Sequence, residues 1–60
     1  MFEHFVNICL AFQEKHPDKA KGVSHYNYLE ESDAIEIQYR NGKRTVWDID
    51  SDIEVIVVDA

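Results

Sequence analysis

Three aspartates alternate in one short segment, and their spacing is the pattern in this chain closest to a metal-binding motif. Asp48, Asp50 and Asp52 match the first ligand positions of a calcium-binding EF-hand loop. Such a loop also needs Gly at its sixth position and Glu at its twelfth, where this chain has Ile53 and Asp59. Because both positions fail, we interpret the segment as an acidic turn and expect no bound metal or other cofactor.

Histidine and cysteine, the other side chains that commonly bind metals or act in catalysis, are scattered along the chain. His4, His16 and His25 share no ligand spacing. Cys9 lies among apolar residues, where a thiol behaves as a small hydrophobic group. A nucleophilic cysteine would need an activating base in an exposed, electropositive site. The sequence therefore predicts no catalytic residue, and we expect that the protein is not an enzyme.

The length of the chain limits how stable it can be alone. Its 60 residues make a single small domain, 1–60, whose core would supply no more than about 3–5 kcal/mol. A disulfide within the chain is excluded because there is one cysteine, and a structural metal is disfavoured by the ligand spacing. Association with a second copy is the stabilising device that remains.

The charge of the chain argues against direct nucleic-acid binding. Twelve acidic residues against six basic ones give a formal charge of −6, whereas phosphate binding depends on Lys and Arg. The acidity permits attraction to a basic partner surface. No apolar run approaches the roughly 20 residues that cross a bilayer, and Met-Phe-Glu-His lacks the basic start of a secretory signal. We therefore expect a cytoplasmic protein without membrane contact.

The first 16 residues have the periodicity of an amphipathic helix. At 100° per residue the apolar side chains cover an arc of roughly 200°, twice the width that docks on one core. Pro17 is expected to end this helix, because the residue before a proline is disfavoured in helical geometry. Segment 18–22 is then expected to be a loop.

The rest of the chain alternates in the manner of β-strands. The predicted strands are 23–30, 34–40, 43–49 and 53–58. In the first of them Tyr26 and Tyr28 are expected on one face, with Val23 and Leu29 on the other. No internal repeat is visible. The order predicts an α+β fold in which the N-terminal helix packs on one face of a four-stranded antiparallel sheet, αββββ.

Asn41-Gly42 predicts the hairpin between the second and third strands. A two-residue loop would mix the two faces of the strands. A three-residue loop, 41–43, with a glycine bulge places Ile37 opposite Trp47 and Ile35 opposite Ile49, so we favour that register.

The last strand is apolar on both faces, and one helix can cover only one face of a sheet. The segment 53–58 is rich in β-branched residues with a single charge, a composition that proteins pair or cover. A two-fold homodimer would bury this excess, although a central position of the strand in the sheet would also do so. The residues predicted to take part in self-association are Val6, Leu10, Val46, Ile56 and Val58.

Aromatic and acidic side chains are the candidates for contact with a different protein. A row of carboxylates could enter a basic groove, or it could be no more than a solvated acidic rim. The residues predicted to bind a partner are Tyr26, Tyr28, Asp48, Asp50, Asp52 and Glu54.

Together these features predict a small, acidic, homodimeric protein-binding module that inhibits or regulates a larger protein. In size, acidity and lack of catalytic residues the chain resembles the small accessory proteins of phages and mobile elements. That resemblance implies inhibition of a host enzyme that handles nucleic acid or serves in defence. The alternative is a structural or assembly protein that adds its exposed strand edge to another sheet.

Overall fold

The computed structural model describes residues 2–58 and confirms the α+β arrangement of an N-terminal helix with a four-stranded antiparallel sheet. The elements are α1 (Phe2–Lys15), α2 (Pro17–Ala20), β1 (Val23–Leu29), β2 (Ala34–Tyr39), β3 (Arg44–Asp48) and β4 (Ile53–Ile56). The strands lie in the sheet in the order β1-β2-β3-β4, so β1 and β4 are its edges. Met1, where the predicted helix begins, lies outside the described residues.

The chain forms a second helical turn where the sequence predicted a loop. His16 leaves helical geometry, with φ −133° and ψ 64°, as expected for a residue before proline. Pro17 can then begin α2, because the first position of a helix needs no N–H donor. The Ala20 N–H donates to the His16 carbonyl at 3.0 Å and closes the turn.

Helix α1 crosses one face of the sheet, which we call the front face; the opposite side is the back face. Ile8 and Phe12 of α1 are buried against it. The Phe12 ring lies 6.2 Å from Tyr26 of β1 and 5.3 Å from Trp47 of β3. The helix therefore spans the sheet from β1 to β3, and β4 lies beyond it.

A bulge in β1 changes one predicted face. Val23 pairs with Tyr39, but His25 pairs with Gln38, so the register shifts between them. The two-residue step from Val23 to His25 in β1 corresponds to a one-residue step in β2, so Val23 lies on the front face with Tyr26. The predicted placement of Val23 on the opposite face was wrong, because plain alternation cannot anticipate a bulge.

The hairpin between β2 and β3 has the predicted faces and a different register. Ile35 pairs with Trp47, and Ile37 pairs with Thr45. The predicted pairs, Ile37 with Trp47 and Ile35 with Ile49, were wrong by two residues. An offset of two leaves every side chain on its face, so all four paired residues are buried on the front face.

The position of the glycine explains this offset. The loop has three residues, as predicted, but it comprises residues 40–42 and not 41–43. The Gly42 N–H donates to the Tyr39 carbonyl at 3.0 Å, and the Tyr39 N–H donates to the Lys43 carbonyl at 2.8 Å. In a hairpin of this length the third residue adopts positive φ, and Gly42 has φ 92°.

The antiparallel order sorts charge to the two ends of the sheet. The β1–β2 and β3–β4 turns leave the same end, because β1 and β3 run in the same direction. We call this the acidic end; its carboxylates are Glu30, Glu31, Asp33, Asp48, Asp50 and Asp52. The β2–β3 hairpin defines the opposite, basic end, with Arg40, Lys43 and Arg44.

Candidate functional site

The most exposed apolar surface of the described chain follows β4. Ile53, Val55 and Ile56 are 57%, 58% and 58% exposed, and Val58 just beyond the strand is 81% exposed. We call these four side chains the β4 strip. Phe12 of α1 packs against β1 and β3, and the side chains of the strip are exposed on both faces of β4. Exposed apolar residues in a row on one strand are typical of an interaction surface.

The main chain of β4 is also open along one side. The Val57 N–H donates to the Arg44 carbonyl at 2.9 Å, which places Val57 in a hydrogen-bonded pair with β3. Such pairs alternate along an antiparallel ladder, so the peptide groups of Val55 also point to β3, and those of Glu54 and Ile56 point away. An open strand edge of this kind can accept a further strand.

The back face of the sheet continues the β4 strip inward. Val46 of β3 pairs with Val55, so their side chains lie side by side on the face that α1 leaves uncovered. Farther along the same row come Glu36 and Asn27, whose side chains are polar. The back face has a second apolar pair, Leu29 with Ala34, at the acidic end of β1 and β2. Glu36 and Asn27 separate the apolar side chains of β3 and β4 from the β1 edge in the row of Val46.

Glu54 is the charged residue of β4, and its carboxylate is hydrogen-bonded on the front face. Its carboxylate accepts hydrogen bonds from Lys19 Nζ at 2.8 Å, Thr45 Oγ1 at 2.6 Å and Tyr39 Oη at 2.5 Å. Partial burial by itself would raise the pKa of Glu54, but these three donors outweigh it and lower the pKa to about 2. Burial and the Glu54 carboxylate raise the pKa of Tyr39.

The N-terminal part of α1 is fixed to the first acidic turn by one aspartate. Asp33 Oδ1 accepts a hydrogen bond from Tyr28 Oη at 2.6 Å and lies 2.6 Å from His4 Nε2. Asp33 has φ 51°, a left-handed geometry that aspartate tolerates better than most residues. The bonds from Tyr28 and His4 hold the pKa of Asp33 below its ordinary value.

The other end of α1 is fixed in the same way to the second acidic turn. Asp52, with φ 55°, accepts a hydrogen bond from Trp47 Nε1 at 2.8 Å, and its Oδ1 lies 2.8 Å from His16 Nε2. Hydrogen bonds from His16 and Trp47 lower the pKa of Asp52. Two equivalent triads, each of histidine, aspartate and an aromatic donor, thus attach α1 to the sheet.

Sequence reasoning missed this repeat and treated the histidines as unconnected. The signal was present: Tyr28 precedes Asp33 by five residues, Trp47 precedes Asp52 by five, and a serine precedes each aspartate. The histidines cannot be assigned from sequence, because their partners are 29 and 36 residues away. In both triads the imidazole contacts a carboxylate that also holds an aromatic side chain, an arrangement that positions the helix.

The residues predicted to bind a partner differ in their exposure and in their contacts within the chain. Tyr26 and Tyr28 are half-buried on the front face. Asp48 accepts bonds from the Asp50 N–H at 3.2 Å and from Ser51 Oγ at 3.1 Å, so it stabilises its own turn. Asp50 is exposed, whereas the carboxylates of Asp52 and Glu54 have the partners given above. Their contact with another protein stays a prediction.

The residues predicted for self-association form two separate surfaces. Val6 and Leu10 are 42% and 51% exposed on the outer side of α1. Val46, Ile56 and Val58 belong to β3, β4 and the residues after it, with Val46 on the back face and Ile56 on the front face. Self-association itself likewise stays a prediction.

Within residues 2–58, no group of three or more His, Cys, Asp or Glu side chains is arranged to hold a metal ion. In the same part of the chain, neither helix has the length and apolar character needed to cross a membrane. Comparison with protein-family models, with curated proteins and with solved structures found no significant match.

Proposed function

We propose that this chain is a homodimeric protein-binding module, without enzymatic activity, that inhibits or regulates a larger protein. The observation that carries the proposal is the β4 strip, an apolar row with an open main-chain edge in a small, charged protein. Burying such a strand against another protein surface removes both its apolar area and its unpaired peptide groups from water. A second copy of the chain can supply that surface.

The acidic end supports a partner that carries positive charge. The two turns bring their carboxylates to one end of the sheet, and Glu30, Glu31 and Asp50 are exposed there. Concentrated charge of one sign steers encounter with a surface of the opposite sign. A protein that handles nucleic acid presents such a surface, which is the target that a phage-like inhibitor would require.

We place this activity in the cytoplasm. Cys9 is half-buried and free, and the described residues contain no disulfide. A small domain without disulfides is typical of a reducing compartment.

Sedimentation velocity tests the homodimer. We expect the wild-type chain to sediment as a dimer at micromolar concentration and to dissociate on dilution. A compact monomer at every concentration up to the millimolar range would refute the homodimer.

Affinity capture from the producing cell tests the larger partner. The bait is the wild-type chain, and its matched control carries Glu30→Gln, Glu31→Gln and Asp50→Asn. These changes neutralise exposed carboxylates that make no hydrogen bond or ion pair with residues 2–58. We expect a protein that the wild type enriches and that high salt or the control variant releases. Equal recovery on both baits would refute a role for the acidic end.

Strand addition to another protein's sheet is the second candidate function, and the outward-facing peptide groups of β4 favour it. Proline at position 57 tests it poorly, because the Val57 N–H already bonds to Arg44 within the sheet. Ile56→Pro is the informative change, since proline is tolerated where a strand N–H faces solvent. Partner binding that ignores salt and is lost in Ile56→Pro, but kept in Ile56→Val, would support this candidate over the first.

A further inference from the structure

We propose that two copies of the chain join edge to edge through β4, antiparallel, about a two-fold axis at Val55, to form one continuous eight-stranded sheet. This inference rests on the proposed homodimer and assigns its interface. It differs from packing through α1, where Val6 and Leu10 form the competing apolar surface.

The direction of the peptide groups in β4 fixes which residues can pair. The groups of Glu54 and Ile56 point to the open edge, so Glu54 would exchange hydrogen bonds with the partner's Ile56, and Ile56 with the partner's Glu54. Val55 would then face the partner's Val55 in a non-hydrogen-bonded pair, and Ile53 would face the partner's Val57. All four residues of β4 would be paired.

The apolar side chains match across this axis. On the back face Ile53, Val55 and Val57 of each copy would lie beside those of the other, next to Val46 of each β3. This arrangement extends the uncovered apolar patch of one copy directly into that of the second. Residues directly opposite on one face are the pairs that stabilise a sheet.

Charge favours a second copy as the occupant although each chain carries a formal charge of −6. Within β4 the carboxylate of Glu54 is paired with Lys19 at 2.8 Å, so the edge itself presents little net charge. Antiparallel pairing also reverses one sheet relative to the other. The acidic end of each copy then lies beside the basic end of its partner, which reduces the repulsion between the two chains.

Other two-fold registers satisfy fewer of these conditions. An axis at Glu54 would place two carboxylates directly opposite each other, which is destabilising in a sheet. An axis at Ile56 would set Ile53 opposite the partner's residue 59, three positions beyond the end of β4, whereas the axis at Val55 sets it opposite residue 57. The axis at Val55 avoids both.

Disulfide trapping tests the axis. In a Cys9→Ala background, which removes the native thiol, Val55→Cys places two thiols across the two-fold in the closest type of cross-strand pair. The matched control is Ile53→Cys, which has the same exposure, strand and face but lies opposite the partner's residue 57. Under mild oxidation we expect Val55→Cys to cross-link at least about tenfold faster than Ile53→Cys, because disulfides require Cβ atoms about 4 Å apart.

Two further cysteine variants separate the alternatives, with sedimentation under reducing conditions as the reference. If the chain dimerises but Leu10→Cys cross-links and Val55→Cys does not, the edge interface is wrong and the homodimer stands. If Ile56→Cys cross-links fastest, the stated axis is wrong. If no variant and no wild-type sample dimerises, the proposed homodimer fails as well.

A proline substitution gives a second readout that does not depend on thiols. Ile56→Pro removes an N–H that points to the open edge, and we expect it to sediment as a folded monomer, while Ile56→Val stays dimeric. Circular dichroism shows whether the monomer is folded. A folded Ile56→Pro protein that dimerises like the wild type would overturn the edge pairing.

Discussion

The Glu54 carboxylate offers the sharpest test of the structure. Replacing it in Glu54→Gln removes the charge that Lys19, Thr45 and Tyr39 stabilise, with little change in shape. The pKa of Glu54 falls from the ordinary glutamate value of 4.5 to about 2 in the folded chain. That difference corresponds to about 3 kcal/mol of stability at neutral pH. Lys19 is half exposed, so solvent screening reduces the expected contribution to about 2 kcal/mol.

The pH dependence follows from the direction of the pKa change. Because the pKa is lower in the folded state, the unfolded chain binds the proton more readily, and acid favours unfolding. The contribution of Glu54 is therefore complete above about pH 5 and is lost as the pH falls towards about 2. Asp33 and Asp52 add acid sensitivity of the same sign, but both the wild type and Glu54→Gln contain them.

Urea denaturation followed by fluorescence measures this effect, because Trp47 is the one tryptophan and is buried. We expect Glu54→Gln to be about 2 kcal/mol less stable than the wild type at pH 7 and nearly equal to it at pH 2. Glu14→Gln, an exposed change on α1, is the control and should show no gap at either pH. The protein concentration is chosen so that every sample sediments as one species.

A gap of the same size at pH 7 and pH 2 would contradict the charge-based explanation, and so would the absence of a gap at pH 7. If Glu54→Gln does not fold, an NMR titration of the wild type gives the same information. A pKa of Glu54 above 4 in that titration would show that the three hydrogen bonds do not stabilise its charge.

Three further predictions follow from single positions. Gly42→Ala should lower the free energy of unfolding by about 1–2 kcal/mol, because Gly42 has φ 92°. Gly22→Ala is the comparison, since its added Cβ would meet neighbours at ordinary distances, and it should change that free energy by less than about 0.5 kcal/mol. Urea denaturation measures both. Ile35→Val removes a methylene from the fully buried front face, and thermal and urea unfolding should show a loss of about 0.5–1.5 kcal/mol. Asp52→Asn should make stability less sensitive to acid than in the wild type, because the lowered pKa of Asp52 adds stability that is lost as the pH falls. An unchanged dependence of stability on pH, with unaltered Trp47 fluorescence, would show that His16 and Trp47 do not stabilise the Asp52 carboxylate.

The choice of elements was predictable because it depends on local patterns. The alternation of 34–40 and 43–49 predicted strands that became β2 and β3, and the front-face residues Ile35 and Trp47 were assigned to the correct side. Pro17 ended α1 as expected, but its ability to start a new helical turn was overlooked. Side-chain periodicity and proline geometry act over a few residues, so they can be read from sequence.

The exact register of the strand pairs β1–β2 and β2–β3 was harder to predict from the sequence. The glycine signal predicted a three-residue loop but not where it begins, since both registers keep the same faces. The bulge that places Val23 on the front face does not show in the alternation of apolar and polar residues along the sequence. Backbone hydrogen bonds between strands decide such details.

For the candidate site, the sequence by itself determined that the last strand would be apolar on both faces and that one helix could not cover it. Only the tertiary structure decided that β4 is an edge, that Glu54 is held by Lys19 from α2, and that His4 and His16 meet aspartates far along the chain. Composition along a strand is a local property, whereas strand order and long-range hydrogen bonds depend on how the whole chain packs.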